Sequence, residues 1–236
     1  MIQINNIVKN FGDVQVLGGL TLEIPKGEIT CLLGASGAGK TTLIRIIMGA
    51  LQPDAGQVTI DGIPMPNLAI LNRIGFMPQD DALYNNLTAM ENLRFYAGLH
   101  HVGKADFASR AEALLGLVGL ENDAKRMVGN FSGGMRKRLS LAVMAIAEPD
   151  ILLLDEPTVG LDPVLRRSIW DQFHRWRDEG KTLIVSTHVM DEVEFCDRAI
   201  LLRNGQVNAY DTVENLRRLS PDGHIEQLFF RKEEPK

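Results

Sequence analysis

The stretch Gly34-Ala35-Ser36-Gly37-Ala38-Gly39-Lys40-Thr41-Thr42 constrains this chain more than any other. It fits the pattern G-x-x-x-x-G-K-[ST] between a strand-like apolar run, Ile29 to Leu33, and a helix-like apolar run, Leu43 to Met48. Strand, glycine loop and helix in that order are the context the pattern requires. Glycine lets the backbone curl so that its N–H groups face inward at an anion, and the following helix aims its positive end at the same point. Lys40 then reaches outer phosphates, and the Thr41 hydroxyl is suited to Mg2+. Loop, lysine, hydroxyl and flanking elements agree on a nucleoside triphosphate, where a bare glycine-rich turn would need only the glycines.

Composition narrows the rest. With 236 residues, 45% apolar and 23% charged, the chain is long enough for a full core, as one domain or a domain with a subdomain. A formal charge of -5 gives no bulk electrostatic case for a nucleic-acid partner, and Arg136-Lys137-Arg138 reads as a solvated helix face. Cys31 and Cys196, far apart in sequence and in apolar surroundings, read as buried free thiols in a reducing compartment. Met1-Ile2-Gln3-Ile4 reads directly as a strand, not as a signal peptide. No run approaches the roughly 18 consecutive apolar residues of a membrane span. A cytoplasmic placement is expected, with any tie to a membrane made through a partner that crosses it.

Along the chain, Ile2 to Val8 and Val14 to Ile24 read as short β segments, broken at Phe11-Gly12-Asp13 and at Gly18-Gly19. They suggest an antiparallel edge added to a nucleotide-binding core. Val58 to Ile60 and Ile74 to Met77 are further strands. Thr88 with Glu91 predicts a capping box for a helix to about Leu99, and Ala105 to Val118 an amphipathic helix. From about Leu83 to Met144 no strong strand pattern occurs, which predicts an inserted helical subdomain over roughly 83–147. Asp162-Pro163 is a strong helix start, followed by Leu165, Ile169, Phe173 and Trp176 at helical spacing. Asn204-Gly205 predicts a type I′ hairpin. Asp211 with Glu214 predicts a second capping box, and the charged end Arg231 to Lys236 a frayed tail, so that 211–236 form a C-terminal helix and tail.

Two further places carry chemistry. Ile151 to Leu154 is an apolar run without alternation, the mark of a strand buried on both faces, and it ends in Asp155-Glu156. Strand ends are where open α/β sheets place their sites. Asp155 is suited to orient Mg2+, and Glu156 to polarise a water beside a γ-phosphate. Ser132-Gly133-Gly134 opens a long helix, a second start able to grip phosphate through N–H groups and the helix dipole. Alone it reads as a helix cap. A second anion-gripping start does not belong in a simple nucleotide kinase, and if it binds triphosphate it does so on a neighbouring molecule.

Taken together these motifs resemble the ATP-binding cassette (ABC) family. The loop Gly34–Thr42, Gln79, Phe131-Ser132-Gly133-Gly134, Ile151–Glu156, Val159-Gly160-Leu161-Asp162 and His188 stand in the family's order, over nearly the whole chain to about Tyr210. The resemblance implies an α/β P-loop fold with a mixed parallel sheet, an N-terminal antiparallel β subdomain and an inserted helical subdomain. It implies ATP and Mg2+ as ligands. Phe11 then matches the aromatic that stacks on adenine, and Gly34, Ala35, Ser36, Gly37, Ala38, Gly39, Lys40, Thr41 and Thr42 cradle the phosphates. Thr41, Gln79 and Asp155 match the metal-side residues. Glu156, His188, Gln79 and Lys40 match the catalytic set. Ser132, Gly133 and Gly134 close over the γ-phosphate of an opposing subunit, and Asp162 links the two sites. The implied partners are a second cassette in a head-to-tail dimer, expected to be a homodimer, and separate transmembrane permease subunits, with no nucleic acid. The implied location is the cytoplasmic face of the cell membrane.

Phe131 and Met135 stand where the family's commonest signature has leucine and glutamine, and Ser36 where asparagine is common. Phe-Ser-Gly-Gly-Met followed by Arg136-Lys137-Arg138 resembles the ABC-2 multidrug and antibiotic export group. A methionine cannot make a glutamine's polar contacts. Asp80, Asp81, Leu83, Tyr84 and Leu87, just after Gln79, are candidates to receive a permease helix. The alternatives are a soluble cassette ATPase of an assembly or regulatory system, such as iron–sulfur assembly, an importer subunit, and a monomeric P-loop kinase.

Overall fold

The computed structural model describes residues 1–220 and 223–229. Among them, ten strands form two sheets. One is antiparallel, with β2 (Val14–Ile24) beside β1 (Ile2–Phe11), then β4 (Ala55–Ile60) and the short β5 (Ile63–Pro64). The other runs β10 (Gln206–Thr212), β9 (Arg198–Arg203), β3 (Ile29–Leu33), β8 (Thr182–Thr187), β7 (Ile151–Asp155), β6 (Ile74–Met77). All its pairs are parallel except β9 with β10. That hairpin turns at Asn204-Gly205, with φ of 49° and 71°, as a type I′ turn demands. The mixed sheet and separate antiparallel sheet are the architecture expected.

The sequence reading of these elements is corrected at three places. Gly18-Gly19 does not break β2. Ile7 pairs with Leu20 and Val8 with Gly18, so Gly19, at φ +90°, is absorbed as a bulge and the ladder continues. β1 likewise runs past Val8 to Phe11. The last helix, α7 (Val213–Leu219), is capped by Thr212, whose side chain accepts from Asn215 N. Asp211 accepts instead from Thr212 N and Asn215 Nδ2. The frayed tail expected over Arg231 to Lys236 lies outside the described residues.

Successive residues of the central strands serve opposite cores, because side chains alternate across a sheet. Leu32, Leu153, Ile184 and Ile200 face one core with the antiparallel sheet and Leu43, Ile44 and Ile47 of α1 (Lys40–Ile47). Leu33, Leu152, Leu154, Leu183 and Val185 face the other. There they meet the helices that fill the gap between β6 and β7, namely α3 (Ala89–Leu99), α4 (Lys104–Leu117) and α5 (Gly133–Ala145), and α6 (Pro163–Asp178). The short α2 (Leu68–Leu71) lies before β6, under an Asn67 cap. The capping box of α3 is complete, with Thr88 and Glu91 bonding each other's backbone. α6 begins at the Asp162 cap with proline in its first turn. Its fully buried Phe173 stacks with Trp176 and contributes on the order of 2 kcal/mol by burial. Both cysteines are free and buried; Cys196 sits beside Cys31, and burial pushes its thiol well up.

This packing sets the C-terminal ends of β3, β7 and β8 side by side, with the Gly34–Gly39 loop, Asp155-Glu156 and Thr187-His188 leaving from adjacent strands.

Candidate active site

The glycine loop is shaped by its own surroundings. A methyl group on Gly34 would lie 2.5 Å from the Leu202 carbonyl oxygen. Gly37 and Gly39 have φ of 80° and 102°, and a methyl on Gly39 would lie 2.7 Å from Leu17 Cδ2. Only glycine lets the loop turn this tightly over β2 and enter α1. Lys40, the first residue of that helix, is buried, and its ammonium donates to Gly34 O at 2.8 Å and Ala35 O at 3.2 Å. A cavity of about 680 Å³ opens above, lined by Val16, Ala35, Ser36, Gly37, Gly39, Lys40, Thr41, Thr42, Gln79, Glu156 and His188.

Three strand ends supply the polar wall. Asp155, buried at the end of β7, accepts from Thr41 Oγ1 at 2.6 Å and from Ser186 Oγ at 2.5 Å. A carboxylate and a hydroxyl in contact, with the Gln79 amide lining the same cavity, offer hard oxygen donors, which fits Mg2+. Glu156 lies 3.6 Å from Lys40 Nζ and 3.1 Å from His188 Nδ1 through the same oxygen, Oε1. Its backbone is in the left-handed region, at φ 53°. That conformation costs about 1–3 kcal/mol for a residue with a side chain and persists only where its surroundings impose it. Glu156 N is held by Ser186, at 3.2 Å from the carbonyl oxygen and 3.0 Å from Oγ.

Of the residues singled out in the sequence, the cavity gathers Ala35, Ser36, Gly37, Gly39, Lys40, Thr41, Thr42, Gln79, Glu156 and His188. Asp155 stands directly behind Thr41. Phe11 is exposed at the tip of the β1–β2 hairpin, with Lys9 over its ring at 5.6 Å, and Val16 supplies the apolar wall of the cavity in its place. Ser132, Gly133 and Gly134 are not in this cavity. Ser132 caps α5 by accepting from Met135 N, and a methyl on Gly133 or Gly134 would meet nothing within 4 Å. Asp162 is occupied as the cap of α6, 3.0 Å from Leu165 N.

The segment after Gln79 differs from the expectation in one respect. Asp81 is not a free acidic group for a partner. Arg136, one turn into α5, grips it in a fork, Nε on Oδ2 at 2.8 Å and Nη2 on Oδ1 at 2.7 Å, while Nη1 reaches Asn85 Oδ1 and Val128 O. The hydrogen bonds to Asp81, more than its charge, hold the Arg136 guanidinium above its ordinary value. This clamp fastens the Gln79 segment to the start of α5. Beyond it, Tyr84, Phe95 and Leu99 leave apolar surface exposed, with the Tyr84 and Phe95 rings edge to face. Lys137, on α5, is drawn down by burial, against the carboxylates of Glu156, Asp155 and Glu192, which favour its charge.

Two residues of the site region carried no mark in the sequence. Val16 enters only because β2 folds under the loop. Glu192, fully buried, accepts from Thr158 Oγ1 and Thr187 Oγ1. Glu192 is flanked in space by two buried threonine hydroxyls from other segments, a setting that no local sequence pattern marks.

A family model described as ABC transporter matches residues 17–159. The chain is 40% identical over 207 residues to the Nod factor export ATP-binding protein I of Rhizobium meliloti, covering 86% of this chain and 62% of that protein. It is 37% identical over 219 residues to the linearmycin resistance ATP-binding protein LnrL of Bacillus subtilis, covering 92% of this chain and 70% of that one. ABC transporter G family member 20 of Dictyostelium discoideum is 38% identical over 208 residues, covering 87% of this chain, but the matched part is 28% of that protein. The chain thus spans between about a quarter and about two thirds of the curated relatives it matches. Among solved structures, an ATP binding subunit of an ABC transporter superposes with a TM-score of 0.89 at 26% identity, covering 98% of both chains. The dimeric post-hydrolysis state of the ATP-binding cassette MJ0796, bound to ADP and Pi, superposes with 0.84 at 30% identity, covering 90% of this chain and 98% of that one.

Proposed function

The chain belongs to the ABC transporter family as an ABC-type ATPase, and from that premise we propose that it hydrolyses ATP as one half of a head-to-tail pair and so drives export through a separate transmembrane permease. The observation that carries this reading is the gathering of Lys40, Thr41, Gln79, Glu156 and His188 around one cavity while Ser132, Gly133 and Gly134 stand outside it.

The roles follow from the chemistry of each group. The loop N–H groups and the start of α1 receive the phosphates, and the Lys40 ammonium supplies their counter-charge. Thr41, Asp155 and Gln79 are the residues to hold Mg2+, which when bound offsets charge on the phosphate oxygens. Glu156 is the general base. It takes a proton from water as the water oxygen bonds to the γ-phosphorus and the bond to the β–γ bridging oxygen breaks, leaving ADP and phosphate. His188 orients that carboxylate from 3.1 Å. Ser132 and Gly134 complete the site of a second copy, whose own signature completes this one. Asp162 links the two sites, and Phe11, exposed at the hairpin tip outside the Val16 wall, is the aromatic to stack on adenine.

Opening and closing of the pair is the motion handed to the permease. Two relatives are named as the ATP-binding protein of an export or drug-resistance system, which supports export. No helix among the described residues is long and apolar enough to cross a membrane, which agrees with a peripheral place on the cytoplasmic face against a spanning partner. The exposed Tyr84, Phe95 and Leu99 surface beside the Gln79 segment suits that contact.

Glu156→Gln tests the proposal. It removes the base and keeps the shape, so ATP binding persists, turnover falls about 10²–10⁴-fold, and ATP shifts the protein to a dimer on size exclusion. Near-normal hydrolysis by this variant would remove Glu156 from the mechanism. A tagged form of the same variant should bring a polytopic membrane protein down from solubilised membranes. Recovery with soluble scaffold proteins alone would favour the assembly reading.

A further inference from the structure

Glu192 is the most deeply buried carboxylate that the proposed chemistry leaves unused, with Asp155, at the same 1% exposure, already assigned. It lies in the 3-10 turn Met190–Phe195 that follows β8. Both its oxygens are committed, and to different loops. Oε1 accepts from Thr158 Oγ1 at 2.5 Å, and Oε2 from Thr187 Oγ1 at 2.7 Å. Thr158 stands two residues beyond Glu156, and Thr187 immediately precedes His188. Thr187 Oγ1 in turn accepts from Val189 N at 2.9 Å, so the residues on both sides of His188 are fixed. Arg166 Nε approaches Oε1 at 3.9 Å and has no hydrogen-bond partner among the described residues, while its Nη2 donates to Leu161 O at 3.3 Å.

A buried carboxylate is costly unless its oxygens are bonded and its charge is matched. Here the bonds go to the flanks of the two residues that touch each other at the cavity, Glu156 and His188. Glu156 also needs restraint, because its left-handed backbone relaxes unless both sides are held. Ser186 holds the amide on its upstream side. On the downstream side Pro157 fixes one torsion, and Thr158 is tied to Glu192.

We infer that Glu192 is a positioning residue for the Glu156–His188 pair, acting as a crossbrace through Thr158 and Thr187 and keeping the base in its left-handed, histidine-bonded setting. The inference rests on the proposed ATPase mechanism for its kinetic consequence, but its geometric consequence stands apart. A carboxylate is the group the place calls for, since an ionised carboxylate only accepts and both neighbours donate hydroxyl protons. The Arg166 guanidinium supplies the countercharge, and through Leu161 it joins the brace to the segment before Asp162.

The test compares Glu192→Ala with Thr158→Val and Thr187→Val, which keep side-chain shape, and with Thr158→Ser and Thr187→Ser, which restore the hydroxyl. With steady-state ATP hydrolysis measured well below each variant's Tm, Glu192→Ala and the valine variants lower kcat about 10- to 100-fold and leave the ATP KM within about two-fold. The serine variants recover most of kcat. Folded variants with kcat within about two-fold of wild type overturn the inference. So does a loss that follows Tm and is not recovered by serine, because that is a packing role. If Glu192→Ala does not fold, the valine–serine comparison decides. A crystal structure of Glu192→Ala, or of Thr158→Val in its place, gives a readout independent of activity. Glu156 is expected to leave the left-handed region and separate from His188, and a φ still near 53° with the 3.1 Å contact kept overturns the brace whatever the protein hydrolyses. An inactive wild type with a relaxed Glu156 in the variant would count against the ATPase reading and for the brace.

Discussion

At the start of α1, a methyl group on Gly39 would lie 2.7 Å from Leu17 Cδ2, and one on Gly34 would lie 2.5 Å from the Leu202 carbonyl oxygen. At the start of α5, a methyl group on Gly133 or Gly134 would meet nothing within 4 Å. Both places join glycine to a helix N-terminus, and both were read from the sequence as able to grip phosphate. The first is required by its own fold, with the loop pressed on β2 and β9 and Lys40 bonded to the carbonyls beneath it. The second has space around it. Glycine there answers to no neighbour among the described residues, as expected of a surface that closes on something brought to it.

The difference can be broken experimentally. Lys40→Ala removes the ammonium from the built end, and turnover is expected to fall about 10²–10³-fold, with ATP affinity falling in calorimetry. Retained affinity would take Lys40 out of the site. Gly134→Asp leaves Tm and ATP binding by the single chain unchanged, because its Cβ meets nothing within 4 Å among the described residues, yet lowers turnover by about 10-fold or more if a second copy must seat there. A fall in Tm as large as the fall in activity would mean that the open end is structural after all.

Stability should separate the two ends by sign. Gly39→Ala forces a side chain into a left-handed turn against Leu17 and costs about 1–3 kcal/mol, read as a lower Tm. Gly133→Ala, in a helical position with free space, is neutral or stabilises by up to about 1 kcal/mol. An effect of similarly small size is expected at the Arg136–Asp81 clamp. Arg136→Lys keeps the charge but loses the fork on Asp81, and losing the fork of this part-buried pair while the charge stays costs about 1 kcal/mol of unfolding free energy. A larger loss, measured by denaturant titration, would show that the Gln79 segment and α5 depend on each other more than this geometry implies.

The sequence already carried most of the built end. Glycines, lysine and hydroxyl at fixed spacing, with buried strands on either side of the chain's length, report a strand-end site because local conformation and ligand chemistry use the same residues. The hairpin at Asn204-Gly205 and the caps at Thr88 and Asp162 were legible for the same reason. What failed to show depended on partners distant in sequence. Gly18-Gly19 looked like a break because a single strand gives no sign that Ile7 and Val8 will accommodate a bulge. Asp211 lost the cap to Thr212 by one position, since either side chain suits the role and only backbone geometry chooses. Asp81 reads as available in sequence because the residue that holds it, Arg136, stands 55 residues later. Val16 and Glu192 reach the site by packing alone, which no local pattern encodes.

The separation of Lys40 from Ser132 within one chain has a genetic consequence. If two copies exchange these ends, a loop-defective and a signature-defective copy fail for complementary reasons. In a mixed pair both lesions fall on one composite site, and the other site is assembled from two sound parts. Random pairing of equal amounts would make half the pairs mixed and restore about a quarter of the sites. Two inactive alleles, Lys40→Ala and Gly134→Asp, should therefore rescue one another when expressed together, whereas two alleles that both damage the loop should not.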